Sequence, residues 1–175
     1  MRAPEDVPSE DSGPANLLGE GRMRPQWPFY WISRVNQRYA ETLQARLKHL
    51  DLDVSRWRVL MSLHEDDLLS VSEIAEYAVL KLSTTTKIVQ RLVADGMVTT
   101  QPRASDARVT EVRLTDEGDR IRRLARAQAE AVFARAFTVE ATDELAGLNE
   151  LLEKVFTRLN DADTPARRAR RERDQ

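Results

Sequence analysis

SVSEIAEYAVLKLSTTTKIVQRLVADGMVTTQPRASDARVTEVRLTDEG, residues Ser70 to Gly118, decides the fold. Its first half reads as two short amphipathic helices. Ser72 can cap the first, which carries Ile74, Ala75 and Ala78 on its inner side. The second spans about Leu82 to Asp95, with Ile88, Val89, Leu92 and Val93 inward and Gly96 at the stop. Its outer face, Ser83, Thr84, Thr86, Lys87 and Arg91, is all hydroxyls and cations, with no carboxylate. A β-ribbon follows: Met97 to Thr100, a polar turn over Arg103 to Arg108, then Thr110 to Leu114. The helix suits a major groove, and a ribbon tipped by Arg103 and Arg108 suits the adjacent minor groove. Asp106, two residues before Arg108, can orient that guanidinium. Together these segments read as a winged helix-turn-helix.

Composition fits a mainly α protein: glycine is scarce and apolar residues recur at helical spacing. No apolar run is long enough to span a membrane, and no basic stretch leads into an apolar core at the N-terminus. A cytoplasmic location is therefore expected. The chain has no cysteine, which removes disulfides, thiolate metal sites and thiol redox sensing together. Its formal net charge is −2, an odd value for a nucleic-acid binder. The distribution matters more than the sum: Lys81, Lys87, Arg91, Arg103 and Arg108 gather on the expected DNA face.

Outward from that stretch, residues 1–24 are rich in Pro, Gly, Ser, Asp and Glu and read as a disordered tail. Pro25 and Pro28 flank Trp27 and lead into a helix from about Phe29 to His49, striped by Ile32, Val35, Tyr39, Leu43, Leu47 and Leu50. Ser55 is a plausible cap for the next helix, where Trp57, Leu60, Met61 and His64 share a face. Leu68 to Val71 suits a short strand against the ribbon. Thr115 can cap a long helix to about Phe137, favoured by Asp116 and Glu117 in its first turn. Thr138 begins another, with Leu145, Leu148, Leu152, Val155, Phe156 and Leu159 at helical spacing. The winged helix-turn-helix thus occupies 51–114. The helices of 25–50 and 115–160 have no partner inside it, so a helical dimerisation region built from both chain ends is expected. A two-fold dimer also matches a palindromic DNA site. The arginine-rich end, 161–175, reads as a flexible basic tail.

The order and spacing of Ser83 to Lys87, Arg91-Leu92, Asp95 to Val98, Asp106 to Arg108 and Leu114 to Gly118 resemble the MarR family of bacterial transcriptional regulators. The resemblance covers roughly Trp27 to Asn160. One departure is Ala104, where the family usually has Pro two residues before the wing Asp. The resemblance implies a winged-helix homodimer on double-stranded DNA. It also implies a small-molecule pocket between the dimer core and the DNA-binding lobe. The absent cysteine sets this chain apart from the family's thiol-based peroxide sensors.

Trp27, Tyr30, Trp31 and Trp57 lie in the helices to which the resemblance assigns that pocket. Each taken alone is as well explained by core packing. Arg46 falls on the stripe of Tyr39, Leu43 and Leu50, and a buried cation there would need an anion. Arg34 is a second cation close to the aromatics. These six residues point to an aromatic carboxylate effector. His49 and His64 stand far apart, and a metal site would need Glu65, Asp66 or Asp67, so no metal and no cofactor is expected. No phosphate-cradling glycine loop or nucleophile elbow occurs, so the chain does not read as an enzyme. The expected function is a ligand-released repressor of a pseudo-palindromic operator. The alternatives are a ligand-independent, chromatin-organising DNA binder and a protein-interaction module of winged-helix shape.

Overall fold

A computed structural model describes residues 23–66, 68–137 and 142–173. The expected disorder before Met23 and the cap at Thr138 lie outside them. Helix α1 (Met23–Gln26) is a single turn. It precedes α2 (Pro28–Leu47), a 3₁₀ turn (Lys48–Leu50), α3 (Val54–Glu65), β1 (Leu69–Ser70), α4 (Val71–Tyr77) and α5 (Leu82–Ala94). Strands β2 (Val98–Arg103) and β3 (Asp106–Leu114) form the ribbon, and α6 (Asp116–Ala136) and α7 (Thr142–Arg173) complete the order. The chain is mainly helical and falls into two compact units, Met1–Ala129 and Glu130–Gln175.

The sheet is antiparallel with order β1-β3-β2. The short strand expected before α4 is present: Leu69 faces Val112 and Ser70 faces Glu111. The ribbon is longer than its apolar pattern suggested, because its polar residues continue the ladder and only Ala104 and Ser105 separate the strands. Pro102 is accommodated because β2 is an edge strand.

The core of the first unit explains why the helix-turn-helix holds its shape. Leu43 and Leu47 of α2, Val59 and Leu60 of α3, Ile74 of α4, Leu92 of α5 and Val98 and Val112 of the ribbon are buried together. Burying each such side chain contributes about 1.5–3 kcal/mol. Three expectations for helix faces need correction. Val93 is exposed; Thr85, Val89 and Leu92 form the inner face of α5. On α3 the buried set is Arg56, Val59, Leu60 and Leu63, while Trp57 and Met61 are half-buried and His64 is exposed. The α2 stripe is divided. Leu43 and Leu47 enter the core, whereas Ile32 and Val35 remain exposed.

Two caps also differ. Asp53, not Ser55, caps α3, its Oδ1 accepting the Arg56 amide at 2.7 Å. Ser70, not Ser72, caps α4 in a capping box with Glu73; Ser72 already lies inside the first turn. In both cases the chosen residue is the one with extended backbone three positions before the amide it accepts. Thr115 acts as expected at α6: its hydroxyl accepts the Gly118 amide at 3.0 Å and donates to the Gly96 carbonyl at 2.7 Å. A Cβ on Gly118 would overlap the Met97 carbonyl oxygen, so glycine is required for this close approach. The basic tail expected to be flexible over 161–175 is instead helical through Arg173. Its alanines and arginines favour helix, and no glycine stops it.

Arg56 is the most consequential buried group. Its Nη1 donates to the Asp51 carbonyl at 2.7 Å and its Nη2 pairs with Asp95, the C-cap of α5. Asp95→Ala should destabilise the fold by roughly 3 kcal/mol, because it leaves a buried guanidinium without its carboxylate. Arg56→Met should cost less than half of that, since the carboxylate it frees is partly exposed. Urea unfolding of both variants checks the order. A more damaging Arg56→Met would show that charge burial is not what makes the pair matter.

Candidate nucleic-acid interface

Helix α5 turns Thr85, Val89 and Leu92 into the core, and this fixes what it presents outward. Ser83, Thr84, Thr86, Lys87 and Arg91 are all exposed on it, with Lys81 exposed at its N-cap. Lys87 and Arg91 stand one turn apart. None of Lys81, Lys87 and Arg91 has an ion-pair partner among the described residues. The Thr86 hydroxyl donates to the Leu82 carbonyl at 2.9 Å, which leaves its lone pairs facing out. No acidic residue stands in the first turn, so the positive end of the helix dipole is not neutralised. The turn before α5 contains Val79 in the left-handed region (φ 55°).

The wing brings Asp106 and Arg108 together, though not as the sequence suggested. Asp106 Oδ1 accepts the backbone amide of Arg108 at 3.0 Å, so its carboxylate shapes the turn instead of orienting the guanidinium. The Arg108 guanidinium is exposed and unpaired among the described residues. Arg103 is not a tip arginine. Its Nε donates to Glu111 at 2.7 Å and its Nη2 to Glu73 at 3.1 Å, which turns it back towards α4. Glu73 in turn accepts the Ser70 hydroxyl at 2.5 Å and the Ser70 amide at 2.7 Å. The Ser70 bonds first, and then Arg103, hold its carboxyl below the ordinary range.

The six residues expected to hold an effector are not gathered in one place. Tyr30 and Trp31 meet edge to face at 5.2 Å, and Arg34 lies over the Tyr30 ring, 5.5 Å from its centroid, and bonds its hydroxyl. Trp27 packs with Phe29. These residues are exposed or half-buried on α2. Arg46 is not buried: it sits at the edge of the stripe, exposed, and donates to Gln128 at 3.3 Å. The need for a neutralising anion there falls away. Of the six, Trp57 lines a pocket of about 430 Å³ with Arg58, Met61, Ser62, Asp66 and Tyr77. The Trp57 indole N–H is buried without an acceptor.

A family model described as the MarR family matches residues 52–110. The transcriptional repressor IacR of Pseudomonas putida is 44% identical over 137 residues, covering 78% of this chain and 81% of that protein. The chain belongs to the MarR family. Two solved structures share its fold. A mutant of E. coli MarR complexed with operator DNA aligns with TM-score 0.61 at 28% identity, covering 71% of this chain and 90% of that one. BpsR of Bordetella bronchiseptica, described as regulated in DNA binding by 6-hydroxynicotinic acid, aligns with TM-score 0.64 at 20% identity, covering 73% and 96%. This MarR-family protein is a DNA-binding transcriptional repressor and not an enzyme. Among its described residues no helix is long and apolar enough to cross a membrane, and no group of three His, Asp or Glu side chains is placed to hold a metal ion.

Sequence reading missed Glu73 as a partner of the wing and missed five of the six pocket residues. Glu73 and Arg103 stand thirty positions apart, with no periodic signal joining them. Arg58 and Met61 carried a faint signal, as neighbours of Trp57 on one helix; Tyr77, on another helix, carried none.

Proposed function

We propose that this MarR-family repressor is a homodimer whose two α5 helices enter successive major grooves of a pseudo-palindromic operator while the Arg108 wings reach the flanking minor grooves. The supporting observation is the outward face of α5: Ser83, Thr84, Thr86, Lys87 and Arg91, with Lys81 at the cap, carry no carboxylate and no paired cation among the described residues. Asp106 assists by shaping the turn that carries Arg108. Lys87→Ala and Arg91→Ala should each weaken binding to a duplex selected by the parent from a random library. A lost phosphate contact lowers the salt slope by about one, and a lost base contact costs roughly 1–3 kcal/mol with relaxed specificity. Parent-like titrations for both variants, with the fold intact by circular dichroism, would remove α5 from the interface.

The dimer is supported by apolar faces that a single chain leaves uncovered. Trp27, Phe29, Trp31, Ile32 and Val35 on α2, and Leu148, Leu151, Leu152, Phe156 and Leu159 on α7, are all exposed. Faces of this extent mark association surfaces. Replacing Leu152 and Phe156 together by glutamate should yield monomers, or chains that fail to fold, in light scattering and circular dichroism. A stable dimer after both changes would place the interface elsewhere.

The effector in this reading is an aromatic carboxylic acid. In the pocket beside α3, Trp57 and Tyr77 supply flat walls, Arg58 a cation able to grip a carboxylate, and the Trp57 N–H an unpartnered donor. BpsR, which shares this fold and is described as regulated in DNA binding by 6-hydroxynicotinic acid, supports this reading. To release DNA, the acid must bind the DNA-incompetent dimer more tightly than the competent one. A panel of benzoic, cinnamic and indole acids should include one that both quenches tryptophan fluorescence and releases DNA, while its amide does neither. Arg58→Ala should blunt that response and leave DNA binding in place. A panel with no active acid would favour the ligand-independent, chromatin-organising reading.

A further inference from the structure

We propose that Arg103 is a positioning residue that sets the angle of the wing against the helix-turn-helix, so that Arg108 reaches its groove. This rests on the DNA-binding reading above. Among the described residues, the only strand that steadies the ribbon on its inner side is β1, and it pairs at just two positions, Leu69 with Val112 and Ser70 with Glu111. Beyond them the wing is a two-stranded ribbon, interrupted by an irregular register between Pro102 and Arg103. Such a ribbon is marginal and twists readily by itself. Arg103, the last residue of β2, spans this weak section. Its Nε holds Glu111, which is buried in β3, and its Nη2 holds Glu73 at the start of α4. A planar guanidinium with donors in a fixed fork can hold two carboxylates in fixed directions, which an ammonium cannot. Glu73 is itself immobilised. Its Oε2 receives both the amide and the hydroxyl of Ser70, which is buried and closes the capping box with the Glu73 amide at 3.2 Å. A continuous chain of bonds therefore runs from the wing through Glu73 to the N-cap of the helix-turn-helix. The ion pairs are partly exposed, so their worth lies in direction more than in stability.

The test uses the full chain and the library-selected duplex. Arg103→Met should weaken binding about three- to tenfold with the salt slope unchanged, because no phosphate contact is lost. Glu73→Gln keeps the capping box, which accepts glutamine at that position, and removes one carboxylate from Arg103. It should weaken binding in the same direction, and Arg103→Met should then add little to it. The deciding readout is a cycle with Arg108. If Arg103 aims the wing, Arg108→Ala should cost markedly less in the Arg103→Met background than in the parent, although the two side chains do not touch. Arg103→Lys should restore binding only in part. A salt slope lowered by about one, with Glu73→Gln indistinguishable from the parent, would make Arg103 a direct DNA contact and overturn the proposal. So would an Arg108→Ala effect identical in both backgrounds, which leaves Arg103 a merely structural residue. Lys87→Ala serves as the control: if it weakens binding while neither Arg103 nor Glu73 matters, the DNA-binding reading stands and only this inference fails.

Discussion

The buried guanidinium of Arg56 is the constraint on which the lobe's geometry depends. It lies at the first turn of α3, yet it grips the carbonyl of Asp51 in the connector from α2 and the carboxylate of Asp95 at the end of α5. Asp51 is held in the left-handed region, so the chain's direction out of α2 is fixed at that point. A buried charge tolerates little displacement from its partners, because losing either exposes a large desolvation penalty. Apolar packing of Leu43, Val59, Leu60 and Leu92 would bring the same helices together, but it is non-directional and permits sliding. The ion pair adds the direction. The C-terminus of α5 is thereby tied to the end of α2, whose other end carries the exposed aromatic face.

What could be read in the sequence divides along a physical line. Elements set by local periodicity or by one-turn chemistry were readable: the span of α5, the strand at Leu69, the Thr115 cap and the buried trio Ile74, Ala75 and Ala78. Choices made among competing neighbours were not. Ser70 and Ser72 are equally good caps on paper, and the decision belongs to Ser70 because β1 holds it extended opposite Glu111. Arg103 and Arg108 look alike on either side of a polar turn. Their different orientations come from Glu111 and Glu73, and one of those lies on a different helix. Arg46 departs from its expected burial for a related reason: a long side chain on an apolar stripe escapes burial by reaching outward, here to Gln128.

The same distinction applies to the half-buried stripes. Periodicity correctly marks α2 and α7 as amphipathic, but it does not say whether the apolar face meets its own chain or another. Leu43 and Leu47 are buried in the core of the first unit; Ile32, Val35, Leu148 and Phe156 are exposed. A helix with one end in the lobe's core and the other uncovered suits the transmission of an effector signal. In the proposed reading, a ligand beside α3 would act on a helix that packs against α2, and a change in the tilt of α2 would be carried to whatever covers its far end. Coupling of this kind requires two discrete arrangements of the packed helices that differ in ligand affinity.

The overall charge then ceases to be a puzzle. A chain of net charge −2 would repel a polyanion if its carboxylates stood free near the binding face. The carboxylates at the end of α5 and around the ribbon are not free. Asp95, at the end of α5, is held by Arg56; Glu73 and Glu111, beneath the wing, share Arg103; and Asp106 accepts the Arg108 amide. Lys81, Lys87, Arg91 and Arg108 have no such partners among the described residues. Internal ion pairing sets Asp95, Glu73 and Glu111 against Arg56 and Arg103, and it leaves Lys81, Lys87, Arg91 and Arg108 facing solvent. The field at the interface is set by that sorting, which the sum of charges along the chain does not contain.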